Sequence, residues 1–166
     1  MRIVSISGSL RAKSSNAALL HAAERVAPPD MEFVFYDGVG KLPHFNPDLD
    51  LEGSVPPDEV RELRELLDAA DGVLISSPEY AYGVPGSLKN LLDWLVSCGE
   101  LVDKPVLLLN AASGGGAIAQ ASLVQTLAAM HWNVLADASL RGNIVGGEIE
   151  RNLRASLDAL AAAIHK

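Results

Sequence analysis

Residues 8–16 read GSLRAKSSN and gather Ser9, Arg11, Ser14, Ser15 and Asn16 into one short segment. Serine hydroxyls and an asparagine amide are neutral hydrogen-bond donors, and an arginine adds a planar charged fork. The segment follows the apolar run RIVSIS (2–7) and precedes the helix-like stretch AALLHAAERVA (17–27). Amides at the start of a helix point outward unpaired and carry partial positive charge, so an anion is stabilised there without a basic surface. Together these groups make a cradle for a phosphate. The same residues admit a plainer reading, in which Ser14, Ser15 or Asn16 caps the helix and Arg11 is a solvated loop charge. The segment is neither a Walker loop nor the GxGxxG dinucleotide pattern, and neither occurs elsewhere in the chain. A monophosphate is the expected anion.

A second stretch, SSPEYAYGVPGSLKNLLDWL (76–95), offers something for a ring. Pro78, Gly83, Pro85 and Gly86 break the chain into a tight loop, Tyr80 and Tyr82 present flat apolar faces, and amides in such turns can point at a heteroaromatic edge. No GxSxG elbow, HExxH motif or Cys–His spacing of a metal site is present. His21, His44, His131 and His165 are scattered and read as surface or packing residues. Glu79 could serve as a general acid or base, but no side chain is assigned a catalytic role and no metal is expected.

The elements that must position these stretches follow from periodicity. Strands are expected at about 2–7, 31–36, 72–77, 104–110 and 133–138, separated by segments of helical period, which is the pattern of a parallel sheet with crossover helices. PVLLLNA is apolar on both faces, as a covered strand must be. Helix one carries Leu19, Leu20, Ala23 and Val26 on one side and stops at Pro28 and Pro29. Helix two begins near Pro57, with Val60, Leu63, Leu66, Leu67 and Ala70 on one face. The third, from Val84 to Cys98, is apolar beyond one stripe because Trp94 and Cys98 stand beside Val84, Leu88, Leu91, Leu92 and Leu95. A deeper core position would explain that, but a subunit interface anchored by Trp94 is the favoured reading. Helix four, about 117–130, is apolar nearly all round, and helix five carries Ile149, Leu153, Leu157, Leu160 and Ile164. The connection from Gly38 to Pro56 has no regular pattern and is long enough to line a site.

With 166 residues the expected organisation is a single domain, 1–166. Apolar residues make up 49% of the chain, a globular composition, and the net charge of −8 argues against general binding to nucleic acid or anionic membranes. Cys98 has no partner for an intrachain disulfide. No run approaches the roughly 20 apolar residues of a membrane span, and the start of the chain lacks the features of a signal peptide. A cytoplasmic protein is the expectation.

The two quoted motifs, GSLRAKSSN and PEYAYGVPGSLKNLLDWL, in this order along the chain, resemble the NAD(P)H-dependent FMN reductase family, which includes quinone, azo-dye and chromate reductases. The resemblance implies an α/β flavodoxin-like three-layer sandwich, a five-stranded parallel sheet with helices on both faces. It implies that Ser9, Arg11, Ser14 and Asn16 hold the FMN phosphate with Ser15 adjacent, and that Pro78, Glu79, Tyr80 and Ala81 line the isoalloxazine ring. A third family element is Ser113 with Gly114, where glycines would let backbone approach the ribityl chain or ring edge. The family commonly has asparagine after PEY, whereas Ala81 stands here, followed by the bulky Tyr82. The implied activity is ping-pong hydride transfer from NAD(P)H through bound FMN to a small-molecule acceptor such as a quinone, azo compound or free flavin, in a homodimer or homotetramer. A flavodoxin-type electron carrier without nicotinamide turnover is the main rival, and a scaffold that has lost its flavin is the second.

Overall fold

In a computed structural model describing residues 1–111, 115–142 and 147–166, the β-branched and leucine-rich runs form strands and the amphipathic segments form helices. In chain order these are β1 (Arg2–Ser7), α1 (Ser15–Val26), β2 (Glu32–Tyr36), α2 (Asp58–Asp68), β3 (Gly72–Ser76), α3 (Gly86–Asp93), β4 (Pro105–Asn110), α4 (Ala117–Ala129), β5 (Asn133–Val134), β6 (Leu140–Arg141) and α5 (Gly147–Ile164). The strands pair in the order β2-β1-β3-β4-β5, with β6 also on β4, and all described pairings are parallel. This is the flavodoxin-like order, in which the direction of winding reverses between β1 and β3. Ligand crevices in such sheets open beyond the carboxyl ends of the strands at that reversal.

Two apolar layers cover the sheet. Leu19, Leu20 and Ala23 of α1 and Leu153, Leu157 and Leu160 of α5 pack on one face. Val60, Leu63 and Leu67 of α2, Leu88, Leu91 and Leu92 of α3, and Leu123 and Leu127 of α4 pack on the other. Central β3 is buried along its whole length, whereas edge strand β2 is only partly covered, which is why its residues are more mixed.

The expected fifth strand differs from 133–138. A 3-10 turn at Ala136–Ala138 splits it, so β5 pairs with the start of β4 and β6 with its end. The gap is bridged by Ser139, whose hydroxyl accepts from the Leu108 amide (3.0 Å) and donates to the Leu135 carbonyl (2.8 Å). A buried amide that the ladder misses is thereby satisfied by a side chain.

Trp94 is corrected outright. It is 0% exposed within its own chain, so it cannot anchor a subunit interface. The regular part of the third helix ends at Asp93, and the following turns fold under the long 38–56 connection. There the Trp94 Nε1–H donates to the Pro43 carbonyl at 2.9 Å and its ring meets Phe45 edge-on at 5.0 Å. Asn90 donates to the same carbonyl (2.9 Å) and accepts from the Phe45 amide (2.8 Å). Arg64 of α2 reaches both Asp50 (2.8 Å) and the Trp94 carbonyl. The long connection is therefore fastened to α2 and α3 by polar bonds. Trp94→Phe removes one donor from Pro43 and part of a buried ring, and is expected to lower unfolding free energy by about 1–3 kcal/mol in urea denaturation.

Candidate functional site

At the carboxyl edge of the sheet, β1 runs into the serine-rich loop. The Gly8 amide donates to the Ser76 carbonyl at 2.8 Å, and a Cβ on Gly8 would lie 2.9 Å from Leu88 Cδ2 and 3.1 Å from Ser77 Oγ. A side chain here would push Leu88 and Ser77 aside, because the first loop passes tightly against the end of β3 and the start of α3. Ser9 is half-buried, its amide donating to Ser7 Oγ (3.3 Å) and its own hydroxyl accepting from the Arg11 amide (3.4 Å). Arg11 is exposed, and among the described residues its side chain makes no hydrogen bond or ion pair. Ser14 is the N-cap of α1, its hydroxyl accepting from the Ala17 amide at 3.3 Å, so the capping reading holds for this residue. Ser15 opens the helix and is exposed.

Asn16 turns inward. It is 3% exposed, and its amide oxygen accepts from Ser76 Oγ (3.0 Å) and from the Ala111 amide (3.1 Å). One side chain thus ties the start of α1 to the ends of β3 and β4.

The tyrosine-bearing loop forms a two-residue hairpin turn. Tyr80 and Gly83 exchange both backbone hydrogen bonds (3.0 and 2.9 Å), and the two residues between them have positive φ, 50° at Ala81 and 60° at Tyr82. That is the type I′ geometry, which favours asparagine followed by glycine because alanine and tyrosine strain the left-handed region. The departure from asparagine at position 81 therefore has a backbone meaning as well as a lost amide. Tyr80 is 50% and Tyr82 74% exposed, so the turn holds both rings out toward solvent. Pro78 is buried.

Glu79 does something that its sequence did not signal. Its carboxylate accepts from the Ala119 amide at 2.8 Å. The α4 N-cap, Gly116, has φ 56° and no side chain to cap the helix, so an acid from the β3 loop supplies the missing acceptor. A Cβ at Gly116 would run into the Asn110 side-chain amide, which accounts for the glycine. Ser113 and Gly114 lie outside the described residues.

The two loops face one another across a cavity of about 330 Å³. Gly8, Leu10 and Arg11 wall one side, and Tyr80, Pro85, Gly86 and Ser87 the other. An exposed guanidinium, unpaired among the described residues, and an exposed tyrosine border the same space, which suits a molecule with an anionic tail and a planar ring. These features fit a flavin mononucleotide. Ser87, Gly86 and Pro85 were absent from the sequence-derived site, although all three stand inside the quoted second motif. Among the described residues no group of three or more histidines, cysteines or acids could hold a metal ion, and no helix is long and apolar enough to cross a membrane.

A doubly wound sheet with its cavity at the winding reversal defines the class: a flavodoxin-like nucleotide-site protein. Comparison with known proteins narrows it. The family model described as NADPH-dependent FMN reductase matches residues 1–144, and the chain belongs to that family. It is 33% identical over 154 residues to a quinone reductase of Escherichia coli, covering 90% of this chain and 81% of the relative. It is 39% identical over 131 residues to an NAD(P)H-dependent FMN reductase of Pseudomonas aeruginosa, covering 76% and 69%. Among solved structures, the flavoenzyme NAD(P)H:(acceptor) oxidoreductase FerB of Paracoccus denitrificans superposes with a TM-score of 0.86 at 26% identity, over 99% of this chain and 97% of that one. The chain is an oxidoreductase whose cofactors are FMN and NAD(P)H.

Replacing Ala81 with asparagine relieves one strained φ. Ala81→Asn is expected to raise unfolding free energy by about 0.5–1 kcal/mol, read from the urea midpoint at constant slope; a lower midpoint would contradict the turn geometry.

Proposed function

We propose that the chain is a quinone reductase that oxidises NAD(P)H by a ping-pong route at the cavity between the two loops. The observation that carries this reading is that residues of both motifs border one space, Arg11 on one side and Tyr80 on the other. In this reading Ser9, Arg11, Ser14, Ser15 and the amino end of α1 hold the phosphate of FMN, with Arg11 supplying the charge-assisted bonds. Asn16 contributes by fixing the loop through its buried oxygen. Pro78, Glu79, Tyr80 and Ala81 carry the ring, and backbone amides of the turn stabilise negative charge that develops there. Bound flavin supplies two-electron chemistry: hydride arrives as NAD(P)H becomes NAD(P)⁺, and a quinone later takes two electrons and, with one proton from solvent, two hydrogens. The chain's own work is to hold, orient and tune, which agrees with the lack of a nucleophile or metal motif in the sequence. Nicotinamide and acceptor would use the open side beside Tyr80 and Tyr82 in turn, since one cavity serves both. The named quinone reductases among the relatives support the acceptor class.

The test mixes purified protein, FMN and NADPH with a benzoquinone and follows nicotinamide absorbance. Turnover above the flavin-only blank, with parallel lines in a two-substrate initial-rate plot, is the expected result. A preparation that binds FMN yet consumes no nicotinamide would instead identify an electron carrier. Arg11→Ala is expected to weaken FMN binding by about 1.5–3 kcal/mol in a fluorescence-quenching titration. Unchanged affinity would place the phosphate elsewhere.

A further inference from the structure

The amino ends of α1 and α4 are completed in different ways. Ser14 caps α1 from its own segment, its hydroxyl accepting from the Ala17 amide. Gly116 holds the same position of α4 and has no side chain to do this, and a Cβ there would run into the Asn110 side chain. Asn110 is 2% exposed at the end of β4, so it has no room to move aside for a capping residue. An acceptor for α4 must come from another part of the chain. Glu79 provides it, its Oε2 accepting from the Ala119 amide at 2.8 Å. Ala119 is 1% exposed, so without this carboxylate its amide would be unpaired and shut away from water.

The same bond acts on the loop that carries Glu79. Where the chain leaves β3 it is held first by the Ser77 amide, which donates to the Leu109 carbonyl at 3.0 Å. Pro78 follows, buried, with its φ set by the ring. Glu79 is the next hold, and the Tyr80–Gly83 turn begins directly after it. Among the described residues, the hydrogen bonds of that turn run only between Tyr80 and Gly83. Ala81 and Tyr82 meanwhile keep a positive φ that neither prefers, and such a turn persists where its surroundings over-determine it. The bond from Glu79 to α4 is what ties this turn to the body of the protein.

We propose that Glu79 is a positioning residue for the flavin ring, fixing the backbone of 78–82 by closing the amino end of α4 rather than moving a proton. The role rests on the flavin reading given above and adds to it what the acid does: the reach of its oxygen matters more than its charge.

Three substitutions separate reach from charge. Glu79→Gln keeps an acceptor oxygen at the same reach and removes the charge, Glu79→Asp keeps the charge but is one methylene shorter, and Glu79→Ala removes both. In the flavin-free full chain, hydrogen exchange at the Ala119 amide, followed by NMR, is expected to quicken about tenfold or more in E79D and E79A and less than about threefold in E79Q. In a fluorescence-quenching titration, FMN affinity is expected to fall about three- to tenfold in E79D and E79A, the worth of one hydrogen bond, and less than about twofold in E79Q. With NADPH and a benzoquinone, E79D and E79A are expected to raise KM more than they lower kcat, with E79Q restoring KM. If E79A fails to fold, the comparison of E79D with E79Q decides. Equal exchange at Ala119 in parent and variants would overturn the proposal, and so would an E79D that works as the parent does beside an inactive E79Q, because then the charge acts as an acid or base would. If the parent binds FMN and E79D and E79A bind it equally well, the positioning role alone falls; if the parent binds no FMN, the flavin reading falls and takes the positioning role with it.

Discussion

The site depends on one buried amide oxygen. Asn16 is almost fully removed from solvent, and its oxygen accepts from Ser76 at the end of β3 and from the Ala111 amide just beyond β4. Three separate stretches of chain are thereby held in register at the edge where their loops diverge. A buried polar group of this kind holds position because leaving either donor unpaired is unfavourable. Gly8 completes the arrangement by letting the first loop lie against Ser77 and Leu88 without a side chain between them. With the loop base fixed, the amino end of α1 presents its unpaired amides at a set place, and preorganisation of that sort is what electrostatic stabilisation requires.

A second tie links the tyrosine turn to the neighbouring helix. Glu79 caps α4 from outside, so the loop after β3 also completes a helix whose own N-cap is a glycine. The adjacent turn goes the other way, since Ala81 and Tyr82 sit in a backbone region that neither prefers. Strain held next to a tie is a common feature of ligand-facing loops, because the surrounding structure over-determines their conformation. Both tyrosine rings stay exposed, and Tyr80 borders the cavity.

Much of this is legible in the sequence. The β-branched and leucine-rich runs gave the sheet, because a strand covered on both faces must be apolar throughout. The spacing of Leu153, Leu157 and Leu160, or of Val60, Leu63 and Leu67, predicts which side of each helix is buried, and the structure agrees. Trp94 shows where periodicity stops being informative. An apolar arc wider than one stripe reports a second neighbour, and periodicity cannot say whether that neighbour is another chain or the returning 38–56 connection. The break between β5 and β6 was equally hidden, since its bridging bond comes from a single serine side chain.

Local order and the chemistry of the two motifs belong to the sequence, because hydrophobic period, turn residues and donor types act over a few neighbouring positions. Those alone determined the parallel sheet, the helix faces and the presence of two motifs at the same sheet edge. Only the tertiary structure decided that Asn16 is a clamp, that Glu79 caps α4 and that Trp94 is core. Each of those depends on groups brought together from distant parts of the chain, where the partner of a hydrogen bond or the filler of a space is set by packing and cannot be read from spacing.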